Sequence, residues 1–139
     1  MKGKVVFIGV GNPMKGDDAF GPQVAEAIPG AMNTGTAPEN FISKIKREKP
    51  DSVIVFDALD FGGKFGEMKI LEAEKTEGLL LSTHAIPLSK FAVMLSPAKV
   101  WLVGGQPKAA MFGEEMSEEV SESARRITDE VLSWLKSRS

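Results

Sequence analysis

Short apolar runs alternate along this chain with segments of helical spacing, and this alternation constrains the fold more than any other feature. The first run, Val5–Val10, is continuous and closes at a Gly-Asn-Pro turn, as expected for a strand buried on both faces. Residues 53–56 and 100–103 form further runs of this kind. Alternating strands and helices predict one α/β domain over residues 1–139, with a mostly parallel sheet and helices on both faces.

Helix signals lie between these runs. A helix is predicted over residues 19–28, with Pro22 in its first turn. Thr36 and Glu39 have the spacing of a capping box, and Ser117 is predicted to cap the last helix. The remaining predictions are a short helix over 87–95, a weak strand over 31–35, and an antiparallel or edge strand over 68–71.

Composition excludes several kinds of chemistry. The 139 residues contain no cysteine and one histidine, His84. A cysteine nucleophile, a disulfide, a thiolate zinc site and an iron–sulfur cluster are therefore excluded, and so is any motif that needs two histidines.

Charge and hydropathy restrict the partners and the cellular location that we expect for the protein. A net charge of −2 gives no basic surface for nucleic acid or for an anionic membrane. No apolar run reaches the roughly 18 residues of a spanning helix. The N-terminus resembles a first strand rather than a signal peptide. We therefore expect a cytoplasmic protein, and we expect it to be a monomer.

In parallel α/β sheets, ligands bind beyond the carboxyl ends of the strands, which directs attention to the residues after Val10, Phe56 and Val103. The turn after Val10 lacks the third glycine of a dinucleotide fingerprint, because Met14 stands there, and it contains no phosphate loop. It does carry two carboxylates, Asp17 and Asp18, which suit a cation better than a phosphate.

Three side chains are candidates for a metal site, and each also has an ordinary structural explanation. Asp18, like Asp17, has the position of a helix cap. Asp57 ends an apolar strand, where an unpaired carboxylate is costly, although it could start an Asx turn. His84 could be a hydrogen-bonded loop or core residue. If the three converge, two carboxylates and one imidazole suit a divalent metal such as nickel or zinc.

The sequence resembles the [NiFe]-hydrogenase maturation endopeptidases, in particular their formate-hydrogenlyase-type branch. The resemblance covers essentially the whole chain and rests on an ordered set of motifs. In chain order these are Gly9-Val10-Gly11-Asn12-Pro13, Gly16-Asp17-Asp18-Ala19-Phe20-Gly21, Gly35-Thr36-Ala37-Pro38-Glu39-Asn40, Asp57 within Val-Phe-Asp-Ala, Thr83-His84 before Pro87-Leu88-Ser89, and Gly105-Gln106-Pro107-Lys108.

The resemblance implies a twisted five-stranded sheet and a specific activity. Members of the family remove a C-terminal extension from the hydrogenase large-subunit precursor after nickel insertion. The residues implicated in sensing nickel map to Asp18, Asp57 and His84. Nickel would be carried by the precursor, and zinc is another metal that the isolated protein could take. Candidate substrate contacts are Gly11, Asn12, Asp17, Gly35, Thr36 and Phe61.

Two points stay open at the level of sequence. Asp18 or Asp57 could act as a general base on water, or nickel could polarise the scissile carbonyl. The segment 61–66 could be a wall of the substrate cleft, with Phe61 and Phe65 facing the partner. It could equally be a hairpin connection with both rings turned inward.

Two other classes of protein compete with this interpretation. A phospho-accepting receiver domain would use an acidic pair, a strand-end aspartate, a Ser or Thr and a late lysine. This chain imitates that set with Asp17 and Asp18, Asp57, Thr83 and Lys108. The acidic pair of a receiver should follow the first strand directly, however, whereas residues 11–16 intervene here. A generic metal-dependent peptidase would usually need more ligands than this chain offers.

Overall fold

A computed structural model describes residues 3–83 and 86–138, and it contains one five-stranded sheet. The strands are β1 (Val5–Val10), β2 (Met32–Gly35), β3 (Ser52–Ala58), β4 (Met68–Glu72) and β5 (Lys99–Gly105). They lie in the order β2-β1-β3-β5-β4. All neighbours are parallel except β4, which pairs antiparallel with β5 at one edge. The predicted α/β class and the antiparallel edge strand are therefore confirmed.

Helices cover both faces of this sheet, as predicted. They are α1 (Phe20–Ala27), α2 (Ile42–Arg47), α3 (Leu88–Met94) and α4 (Glu118–Ser137). The helices α1 and α4 pack on the face that carries Phe7 and Phe56. The opposite face packs against Ile45 of α2 and Phe91 of α3. Alternate residues of each central strand thus enter two separate cores.

Some local predictions need correction. Thr36 does not cap a helix: the turn Pro38–Phe41 begins after Ala37 and has no side-chain cap. Asp57 is not the last residue of its strand, because β3 continues to Ala58. The segment 61–66 is not a hairpin connection, because β5 lies between the two strands that it joins. Ser117 is confirmed as the cap of α4, and its Oγ accepts a hydrogen bond from the Val120 amide at 3.3 Å.

Glycines set how closely the first helix approaches the sheet. A Cβ on Gly21 would lie 2.2 Å from the Val10 carbonyl oxygen and 2.3 Å from that of Phe56. A Cβ on Gly11 would lie 2.0 Å from the Asp18 carbonyl oxygen. The turn after β1 and the start of α1 are therefore pressed against the carboxyl ends of β1 and β3.

Candidate active site

A cleft of about 310 Å³ opens at the carboxyl edge of the sheet. It lies where the strand order changes direction between β1 and β3, which is the usual ligand position in such sheets. Its lining residues are Lys15, Asp18, Ala58–Asp60, Leu79–Ser82, Pro107 and Ala110. A larger groove of about 360 Å³ lies beside α3 and the start of β5, away from every candidate residue.

Asp57 is buried at this edge and has only part of its hydrogen-bonding capacity used. Its side chain is 1% exposed, and its Oδ2 accepts a hydrogen bond from the Ser82 amide at 2.7 Å. Its other oxygen, Oδ1, has no hydrogen-bond partner among the described residues. The pKa of Asp57 is raised to about 8, mainly by burial; hydrogen bonding from Ser82 opposes the rise, and the negative charge of Asp18 adds to it.

Asp18 lies on the wall of the cleft. It is 8% exposed, and its Oδ2 accepts a hydrogen bond from the Asn12 amide at 2.8 Å. Neither the turn Gly16–Ala19 nor α1 has a side-chain cap, so the capping explanation for this carboxylate is wrong. The charge of Asp18 contributes to the raised pKa of Asp57, so the two carboxylates lie close enough to interact.

The third predicted ligand, His84, lies outside the described residues. Within residues 3–83 and 86–138, no group of three or more acidic or histidine side chains is arranged to hold a metal ion. Of the three predicted ligands, the described residues include Asp18 and Asp57.

Asp17, in contrast to its neighbour, has its carboxylate used within the protein. The residue is fully buried, and its Oδ2 accepts hydrogen bonds from the amides of Lys108 and Ala109 at 2.7 and 2.8 Å. The amide and hydroxyl of Ser117 also donate to it, at 2.7 and 2.9 Å. Asp17 therefore fastens the segment between β5 and α4 to the turn after β1.

Gln106 organises the segment that follows β3, a role that its sequence context did not reveal. Its side-chain oxygen accepts hydrogen bonds from the amides of Phe61 and Gly63 at 2.9 and 3.0 Å. Its Nε2 donates to Asp60 Oδ1 at 3.0 Å. Phe61 is half-buried against the core, whereas Phe65 is 55% exposed, so the two rings of this segment face different environments.

The remaining candidate substrate contacts surround the turn after β1. The Gly11 amide donates to the Gly35 carbonyl at 2.9 Å, and the Asn12 side chain accepts from the Met14 amide at 2.9 Å. Gly35 has a φ of +57°, which favours glycine, and Thr36 is exposed. These residues lie at the carboxyl ends of β1 and β2.

The receiver alternative finds no support in this arrangement. Its phosphate site would need the late lysine to face the strand-end aspartate. The Nζ of Lys108 instead pairs with Glu119 at 3.0 Å, on the surface.

Known proteins share both the sequence pattern and the fold. The chain is 30% identical to the hydrogenase 3 maturation protease of Escherichia coli K12, over 93% of this chain and 89% of that protein. The crystal structure of the [NiFe] hydrogenase maturation protease HycI from Thermococcus kodakarensis superposes with a TM-score of 0.86. It is 38% identical, and the match covers 96% of this chain and 92% of that one. The solution structure of the endopeptidase HycI from Escherichia coli gives a TM-score of 0.82 at 28% identity, over 95% and 91% of the two chains.

The fold and these relatives define an endopeptidase of the class that matures hydrogenases. More particularly, the chain belongs to the HycI family of hydrogenase maturation proteases, whose model matches residues 4–134. The expected resemblance is confirmed, and a hydrogenase precursor is the substrate of this class. Among the described residues, no helix combines the length and the apolar character that crossing a membrane requires.

Proposed function

We propose that this protein removes the C-terminal extension of a [NiFe]-hydrogenase large-subunit precursor after nickel insertion, and that it recognises the nickel in that precursor. The proposal rests on membership of the family and on one observation in the site. The buried Oδ1 of Asp57 has no hydrogen-bond partner among the described residues. A buried carboxylate oxygen left in this state is costly unless a ligand satisfies it.

A metal ion delivered by the substrate fits this donor set. Asp57 offers its Oδ1, and Asp18 lies near enough for its charge to act on Asp57. We propose His84 as the third ligand. Three oxygen and nitrogen donors leave positions for the ligands that the precursor supplies, and such an incomplete shell can release the metal afterwards.

For the hydrolytic step, we favour Asp18 as the general base, with one of its carboxylate oxygens available to the metal and the other to the attacking water. Asp57 has a pKa raised to about 8, so it holds its proton near neutral pH until a cation approaches. Asp18 lines the cleft itself. It would take a proton from water as the water oxygen bonds to the scissile carbonyl carbon. The carbon–nitrogen bond then breaks, and that proton passes to the leaving amine.

Cleavage of a purified precursor, with and without nickel, tests the proposal. The wild-type protein should shorten the nickel-loaded large subunit and leave the nickel-free form intact, as judged by intact-protein mass spectrometry. The variants Asp18→Asn and His84→Ala should lower the rate by about 100-fold or more. Asp129→Asn, on the exposed side of α4, serves as the matched carboxylate control. Equal cleavage of both precursor forms would refute recognition of nickel.

A further inference from the structure

Large apolar side chains are exposed beside the cleft. Met14, Met111 and Phe112 are each 70% exposed, and Leu80 is 43% exposed. We call these four residues the apolar rim. Exposed apolar surface of this kind is characteristic of a protein–protein contact, and methionine is common where a surface must adapt to its partner.

The members of the apolar rim come from separate parts of the chain that the fold joins. The Gly113 amide donates to the Met14 carbonyl at 3.0 Å, which ties the turn after β1 to the segment between β5 and α4. The Nζ of Lys15 lies 5.4 Å from the centre of the Phe112 ring. Lys15 and Leu80 also line the cleft. The apolar rim is therefore continuous with the cleft that Asp18 enters.

Hydrogen bonds to a buried carboxylate anchor the segment that carries Met111 and Phe112. Asp17 binds the amides of Lys108 and Ala109 on one side of Met111 and Phe112, and it binds Ser117 on the other. The tip of this segment is thus anchored at both ends to a fully buried carboxylate. Anchoring the backbone at both ends reduces the backbone conformational entropy that this segment loses when a partner binds.

We infer that the apolar rim binds apolar side chains of the large-subunit precursor next to the scissile bond. This inference rests on the proposed function. The peptide bond to be cleaved must reach Asp18, and the polypeptide that carries it must then pass the residues bordering the cleft. Because the apolar rim consists of methionine, leucine and phenylalanine side chains, a stretch of apolar residues in the precursor matches it, whereas a charged stretch lying on these side chains would be desolvated without compensation.

Substitutions on the apolar rim test this inference, since exposed side chains can be changed without unfolding the protein. Phe112→Ser and Met111→Ser should raise KM for the nickel-loaded precursor by about tenfold or more, with kcat within about twofold of wild type. Val93→Ser is the matched control, because Val93 is 73% exposed on α3, away from the cleft. Precursor binding is measured separately by surface plasmon resonance, and self-association by sedimentation velocity.

The outcomes separate the two proposals. Rim variants that bind and cleave the precursor as the Val93 control does would overturn the inference. So would a wild-type dimer that these variants dissociate, because the apolar rim would then be a contact between copies of this chain. If the wild type binds the precursor without cleaving it and the rim variants lose binding, the inference that the apolar rim binds the precursor holds. The proposed cleavage then fails. If the wild type neither binds nor cleaves the precursor, both proposals fail.

Discussion

Asp17 and Asp18 are neighbours in sequence with different tasks in the structure. Asp17 is surrounded by four hydrogen-bond donors and holds two segments together. Asp18 uses one oxygen to accept the Asn12 amide and lines the cleft. Consecutive residues of a tight turn point in different directions, so one carboxylate can enter the protein while the next faces a ligand.

Asp57 should make the stability of the metal-free protein depend on pH. In the unfolded chain its carboxyl ionises near pH 3.8, whereas in the folded protein the pKa is raised to about 8. Between these values the folded state keeps a proton that the unfolded state has released, so rising pH favours unfolding. The asparagine in Asp57→Asn resembles the protonated carboxyl, so the variant should not lose stability as the pH rises. We expect the variant to gain stability at pH 8, on the order of 5 kcal/mol for a shift from 3.8 to about 8, and to match wild type near pH 4.

Urea denaturation of both proteins at several pH values, in the presence of a chelator, measures this effect. Asp60→Asn is a control, because the effect of Asp60 on the pH dependence of stability has the opposite sign. Hydrogen bonding from Gln106 lowers the pKa of Asp60, so this exposed carboxylate stabilises the protein above its ordinary pKa and stops doing so as the pH falls. A constant difference between wild type and Asp57→Asn from pH 4 to pH 8 would contradict the raised pKa.

At the scale of secondary-structure elements, the approach of α1 to the sheet positions the site. The helix begins directly after the turn that carries Asp17 and Asp18, and Gly21 lies against the carbonyl groups of Val10 and Phe56. A residue with a side chain at position 21 would push the helix away from both strands, and the acidic turn would move with it.

Gly21→Ala should therefore destabilise the protein by about 3 kcal/mol or more, since the added Cβ meets backbone atoms that cannot move aside alone. Gly30→Ala separates this packing effect from backbone strain. Gly30 has a φ of +79° and open space around it, so its substitution should cost only about 1 kcal/mol. Thermal unfolding followed by circular dichroism compares the two variants, and similar losses for both would refute the close-packing explanation.

On the scale of the whole molecule, the central strands of the sheet are shielded from solvent more than the edge strands are. The strands β1, β3 and β5 each have neighbours on both sides and are mostly buried. The edge strands β2 and β4 are paired on one side only and are half-exposed or exposed along most of their length.

Native-state hydrogen exchange should reflect this arrangement. Backbone amides of β1, β3 and β5 that take part in the ladder should exchange at least about tenfold more slowly than those of β2 and β4. NMR or mass spectrometry of the deuterated protein resolves the strands. Equal protection of β4 and β1 would show that the edge strand opens only with the whole domain.

Much of the fold could be predicted because its signals are local. Continuous apolar runs indicate buried parallel strands, and the last helix has apolar residues at helical spacing and a serine cap. Prediction was weaker where several local signals compete: Thr36 and Glu39 have capping-box spacing, yet the helical turn begins one residue later. The connectivity of segment 61–66 could not be predicted either, because β5, which separates β3 from β4, comes some thirty residues later in the chain.

The sequence by itself determined the class of fold, the edge of the sheet at which the cleft lies, and the carboxylates that are candidates to serve it. It also excluded thiolate chemistry, because the chain contains no cysteine. Only the tertiary structure decided which carboxylate serves the cleft, how Gln106 shapes its wall, and where an apolar rim is left exposed. The physical reason is the distance along the chain between partners: Asp17 contacts Lys108 and Ser117 across 91 and 100 residues. Local patterns contain no information about which donors will surround a buried oxygen once the chain has closed.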